Sequence, residues 1–295
     1  MLTLIKNVVR DFIDDDCPTN AAALAYYAVF SLPAVLFLLI FVIGLAIDPA
    51  TVQERMVTEF GGLFGEGGGR QIETMVQSAQ ARTSGGGIKV ILSIAMLIFG
   101  ASGAFMQLQK ALNRAWEVKP DPKQGGVKRF IMKRVLSFGI LITLAFLLLV
   151  SLAVSALLTA MGDFISARMG GIPEVVLMGL QFAISLAVIA ALFAIIFKVL
   201  PDAETGWKDA WIGALVTAAL FGLGKFLIGL YLGRSDPGNA FGAAGVLAVI
   251  MLWIYYSAMI VLLGAEFTQA WVRRKGAGIR PQRGAVRIRE SAAAS

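Results

Sequence analysis

Six long stretches of this chain are almost free of Asp, Glu, Lys and Arg, and nothing else constrains its fold as strongly. They cover 21–47, 90–109, 135–162, 175–197, 210–233 and 237–265. Lys225 interrupts the fifth, and the last stays apolar to Val272 apart from Glu266, Thr268 and Gln269. A helix of about 20 apolar residues crosses a hydrocarbon core of about 30 Å. The sequence therefore predicts an all-α integral membrane protein with six transmembrane helices, at about 21–47, 88–109, 135–162, 174–198, 210–233 and 241–271. The alternating ten-residue segments of a β-barrel are absent. Helices also satisfy their backbone polar groups internally, as lipid requires. Composition agrees: 58% of the 295 residues are hydrophobic and 15% charged, against about 25% charged in soluble domains.

Basic residues set the orientation. The N-terminus, the loops after the second and fourth spans, and the C-terminal tail hold 19 of the 26 lysines and arginines. Only Arg55, Arg70, Arg82, Arg168 and Arg234 fall on the other side. The positive-inside rule then places both termini in the cytoplasm. The net charge of +7 marks loops that meet anionic headgroups, so membrane lipids are the expected partners and nucleic acid is not. Self-association is compatible with the sequence.

Residues 1–18 do not read as a cleavable signal, because Lys6 and Arg10 interrupt the apolar run. Ile5, Val8, Val9, Phe12 and Ile13 instead share one helical face, which predicts a short interfacial helix. The loop 48–87, expected on the periplasmic side, carries two apolar faces. One is Val52, Met56, Phe60, Leu63 and Phe64; the other is Ile72, Met75, Val76 and Ala79, with a glycine-rich break between them. Two amphipathic helices are expected there. Trp116 reads as an interfacial anchor, and the basic tail 273–295 as disordered.

Ionisable groups within the spans are the first candidates for function. Lys225 lies deep in the fifth span. Either its stem snorkels to the outer headgroups or its amine meets an anionic partner in a polar cavity. Glu266 either holds helices together near the inner interface or lines a solute path. Gln109, Asn113 and Trp116 follow i, i+4, i+7 on the second helix. With Tyr26, Tyr27, Lys198, Pro201 and Asp202 they could form one cytoplasm-facing vestibule, or equally a set of caps and anchors. Pro33 predicts a kink in the first span, and Gly229 with Gly233 either close packing or a hinge. The chain has no histidine. It also lacks a G-x-S-x-G elbow, a clustered metal site and a Gly-rich phosphate loop, so no enzyme, metal or cofactor is expected. Cys17, the single cysteine, cannot form an intramolecular disulfide.

Four stretches carry a family resemblance: Ala21 to Tyr27 continuing to Pro33; Leu108 to Asn113 with Trp116; Leu200-Pro201-Asp202 with Trp207, Ala210 and Gly213-Ala214; and Phe241 to Gly245 with Trp253 to Tyr256 and Gly264-Ala265-Glu266. As a set they resemble the YihY/BrkB family of bacterial inner-membrane proteins, once mislabelled ribonuclease BN. Phe241 stands where the family usually has tyrosine, which removes one hydroxyl. The resemblance covers about residues 5–272 and implies a six-helix inner-membrane bundle. Members have been linked to serum resistance and envelope lipid export, and are often labelled transporters. Two functions follow as expectations: a transporter or exporter of a lipid or small solute without its own ATPase, or a non-transporting scaffold or partner of envelope machinery.

Overall fold

The computed structural model describes residues 2–45, 47–83, 88–121, 135, 139, 142–143, 174–234, 237–276 and 278–288. The predicted third span, 135–162, therefore lies almost wholly outside the described residues. Helix α1 covers Leu2–Asp14, α2 Cys17–Ile43, α3 Pro49–Thr83 and α4 Ile88–Ala115. After strand β1 (Val118–Pro120) come α5 (Glu174–Val199), β2 (Ala203–Glu204), α6 (Trp207–Arg234) and α7 (Pro237–Arg274). Strands β3 (Arg280–Pro281) and β4 (Ala285–Arg287) follow. Among the described residues, three helices are long and apolar enough to cross a membrane: α2, α5 from Phe182 and α7 from Gly245.

α2 packs against α4 and α7, α5 against α6, and α6 against α7. Small residues make these approaches close. Ala210, Ala214 and Ala218 recur every fourth residue on α6 and are fully buried. They meet Phe193 and Phe197 of α5 and Leu262 and Ala265 of α7 in the main core. On the facing sides of α6 and α7, Gly213 stands against Thr268 and Gly264 against Thr217. The two contacts move in opposite directions along the chain, so α6 and α7 run antiparallel.

α1 buries Leu4 and Val8 against Ala270, Phe267 and Trp271 of α7. Ile5, Val9 and Ile13 form an exposed apolar stripe on its other side. That arrangement suits a helix lying in an interface.

Three expectations change. The loop 48–87 holds one continuous helix, α3, where the glycine-rich segment predicted a break. Glycine in a helix costs only about 1 kcal/mol per residue. The burial of Val52, Ile72 and Val76 against Ala34 to Ile43 of α2 offsets that cost. The fold is mostly helical but is not all-α, since it includes two small antiparallel sheets, β1 with β4 and β2 with β3. Finally, the tail is ordered over 278–288, because it supplies β3 and β4 and buries Ile279 in the main core. Gly276 (φ 72°) ends α7, and Gly284 (φ 84°) makes the turn between β3 and β4. Both need the left-handed backbone that glycine adopts at little cost.

Candidate functional site

The polar groups gather at the basic end of the bundle, where α1 meets α2, α4 ends and the tail strands pair. The last turns of α4 project Gln109 and Asn113 toward the α5–β2 turn. Asn113 Nδ2 donates to Asp202 Oδ2 at 2.9 Å, and Asn113 Oδ1 accepts from the Asp202 backbone N–H at 2.7 Å. Gln109 Nε2 reaches Asp202 Oδ1 at 3.4 Å. Leu200-Pro201-Asp202 thus forms a turn whose carboxylate is gripped by two amides from a single helix.

Trp116 was expected at the membrane interface but is buried. Its indole N–H donates to Thr205 Oγ1 at 3.1 Å, and its ring packs on Phe197. Lys198 donates to the Thr205 carbonyl. Trp116 had a polar partner waiting inside the protein, which satisfies its one donor without headgroups.

Beside this cluster lies a cavity of about 420 Å³. Asn20, Gln109 and Asn113 supply its amides, Met106, Val118, Pro120 and Ile288 its apolar walls, and Lys110, Arg114 and Lys119 its cations. The exposed Lys110 and Lys119 meet no carboxylate among the described residues. Ile288 comes from the tail, held by its backbone N–H on the Glu117 carbonyl at 2.8 Å.

A second cluster surrounds Glu266, which is completely buried on α7. The Cys17 thiol lies 3.6 Å from Glu266 Oε1, and Glu266 Oε2 has no hydrogen-bond partner. The turn between α1 and α2 brings Asp15 to the same place, within hydrogen-bonding reach of Glu266. That turn is built by Asp16 at φ 53° and by Asn20, whose Nδ2 donates to the Asp15 and Asp16 carbonyls. Asp15 pairs with Arg114 at 3.0 Å. Asp11 pairs with Arg273 at 3.2 Å, and Arg273 also bridges Glu117. Burial pushes the Asp15 carboxyl up to about 6, with Arg114 opposing the rise. Gln269 Oε1, Ser257 Oγ and Trp271 Nε1 are likewise buried without partners.

The sequence-predicted residues divide into two groups and a remainder. Gln109, Asn113 and Asp202 are brought together as one cluster. Glu266 sits in the other, buried between helices. Tyr26 joins neither: it is about half exposed and stacks edge-on with Tyr27 and against Phe30 on the outside of α2. Tyrosine near a helix start reads equally as site or surface, and the rotation of α2 turns this one outward. Pro33 lies within α2, which continues through it. Lys225, Gly229 and Gly233 belong to α6. The Lys225 side chain and the packing at the two glycines lie outside the described residues. Sequence reasoning missed Asp15, Cys17, Asn20 and Thr205. Their partners lie about 90 to 250 positions away, or rest on an unusual backbone turn, so no local pattern announces them. No group of three or more Cys, Asp or Glu side chains that could hold a metal occurs among the described residues.

The comparisons with known proteins return membrane proteins. The family model described as "Virulence factor BrkB" matches residues 8–289. A UPF0761 membrane protein of Pseudomonas paraeruginosa is 31% identical over 279 residues, covering 89% of this chain and 62% of the relative. One from Legionella pneumophila is 29% identical over 275 residues, covering 90% and 61%. One from Alcanivorax borkumensis is 26% identical over 269 residues, covering 90% and 59%. The chain thus spans about three fifths of the length of these relatives. No solved structure matches. A match that begins in α1 and runs through every described helix to the tail strands makes the chain a member of the BrkB virulence factor family of membrane proteins.

Proposed function

We propose that this chain is a multi-pass inner-membrane transporter or exporter of a lipid or small solute, working without an ATPase of its own. The cavity at the end of α4 carries the reading. It combines apolar walls with a rim of Lys110, Arg114 and Lys119, a lining suited to an amphiphile with an anionic head. The basic-residue count orients this end toward the cytoplasm, so the solute would enter from the inner leaflet or the cytosol. Lys225 of α6 then serves the anionic group further along the path. Lys225→Met keeps the stem, so it should express normally and abolish activity. Lys225→Arg should retain part of the activity, because its planar donors are arranged differently.

Reconstituted protein tests the reading directly. Vesicles with fluorescent phosphatidylglycerol in one leaflet, and a panel of osmolytes inside, should show protein-dependent flux that drops in Lys110→Gln/Lys119→Gln. Verified folded protein that moves none of these would overturn it. The chain would then be read as a non-transporting scaffold or partner of envelope machinery.

A further inference from the structure

We propose that Asp15 and Glu266 form a proton-binding site, with one proton held between the two carboxyls at the basic end of the bundle. Glu266 is short of hydrogen-bond donors. Its side chain is completely buried. The Cys17 thiol, a weak donor, serves Oε1 at 3.6 Å, and nothing donates to Oε2. The group within hydrogen-bonding reach is the Asp15 carboxyl. Two carboxylates are both acceptors and repel. A proton on either turns that contact into a short, charge-assisted hydrogen bond and supplies the missing donor.

The charge balance points the same way. Three other carboxyl groups act on Asp15 of the α1–α2 turn: Asp11 from α1, Glu117 after α4, and Glu266 from α7. Three guanidinium groups face these four carboxyls, and one of them, Arg10, lies 3.5 Å from Asp11. Arg114 is committed to Asp15 at 3.0 Å. Arg273 is committed to Asp11 and Glu117. No cation is paired with Glu266 among the described residues, and its place in the charge balance falls to a proton.

The two members differ in access. Glu266 is sealed in the core, whereas the Asp15 side chain keeps 17% of its surface exposed. Asp15 is thus the door through which the proton exchanges. Burial pushes its own carboxyl up to about 6, against the pull of Arg114. The proton also ties two helices together, since Asp15 fixes the start of α2 and Glu266 belongs to α7. Its loss sets two negative charges against each other across that contact and favours parting it. This deepens the transport reading by naming a coupling ion. It rests on that reading only for the coupling, because proton binding stands on the geometry alone.

The test uses the full chain in native-lipid nanodiscs. Infrared difference spectra taken across a pH titration report the carbonyl stretch of protonated carboxyl groups. Dicyclohexylcarbodiimide, which adds to a protonated buried carboxyl, is mapped in parallel by mass spectrometry. Wild type should show the protonated band at neutral pH and an adduct on Glu266 or Asp15 that declines as pH rises. Glu266→Gln and Asp15→Asn, whose amides keep the contact hydrogen-bonded and the fold intact, should each remove the band. Absence of the band at neutral pH, or its persistence in both variants, overturns the proposal. So does protection from labelling by sodium at constant pH, which would make the ligand a metal cation. Flux measured with and without a proton gradient separates the two readings. A protonated pair in a protein that moves nothing sinks transport alone, and flux without the pair sinks the proton site alone.

Discussion

Asn113 and Asp202 hold each other by two hydrogen bonds that run in opposite directions. The Asn113 amide donates to the carboxylate at 2.9 Å, and its oxygen accepts from the Asp202 backbone N–H at 2.7 Å. The pair pins the end of α4 to the turn between α5 and β2, across 89 positions of sequence. A hydrogen bond to a charged group contributes about 1.5–3 kcal/mol. Asn113→Ala should therefore lower stability by about 2–3 kcal/mol, read from unfolding curves in detergent. Asn113→Asp should be worse, since it opposes a second carboxylate to Asp202. Equal stability of Asn113→Asp and wild type would show that the pair does not hold the turn.

The α6–α7 seam makes a second prediction. Thr217 and Thr268 each donate to the carbonyl four residues back, those of Gly213 and Gly264, at 2.7 Å. A Cβ on Gly213 would overlap the Thr268 side chain, and one on Gly264 would overlap Thr217. Gly213→Ala should cost about 1–3 kcal/mol as overpacking. Adding Thr268→Ala should recover part of that loss, because it removes the hydroxyl and methyl that clash. Strict additivity in the double-mutant cycle would argue against the contact.

Tail order is open to proteolysis. The Gln282 backbone N–H donates to the Asp202 carbonyl at 2.9 Å, and Gln282 Nε2 donates to the Ala203 carbonyl at 3.2 Å. Trypsin should cut slowly at Arg283 and Arg287 in wild type. It should cut quickly in Gln282→Pro, which lacks the backbone donor. Equally fast cleavage in both would restore the disordered tail.

Asp15 predicts a pH dependence. Its carboxyl is raised from an ordinary value of 3.8 to about 6, chiefly by burial. The folded protein therefore binds more protons at this site than the unfolded chain does. The stability contributed is fully present below about pH 4 and is lost as pH rises through about 6. Melting temperature in detergent should fall across that window in wild type relative to Asp15→Asn. A constant difference between the two from pH 4 to pH 7 would contradict the shift.

The orientation inferred from the basic residues is tested by labelling. In a Cys17→Ser background, Gly65→Cys should react from the periplasmic side and Lys123→Cys from the cytoplasmic side. Reaction of both from one side would overturn the six-span arrangement.

Apolar stretches announced the helices because a membrane demands length and composition from each segment by itself. α2, α5 and α7 are legible for that reason, and so is the helix α1, although Leu4 and Val8 pack on α7 while Ile5, Val9 and Ile13 of the expected face stay exposed. The i, i+4 spacing of Gln109 and Asn113 was also local, and both do face one partner. What the chain could not display was pairing at a distance. Cys17 and Glu266 are 249 positions apart, and neither residue's flanks hint at the other. The side of α2 that Tyr26 occupies, the indole–hydroxyl contact of Trp116 with Thr205, and the capture of the tail by β1 and β2 were likewise decided by tertiary packing. Each depends on which donors and cavities neighbouring helices leave open. Helix continuity through the glycines of α3 followed the same logic, since local propensity is worth about 1 kcal/mol per residue and burial of Val52, Ile72 and Val76 outweighs it.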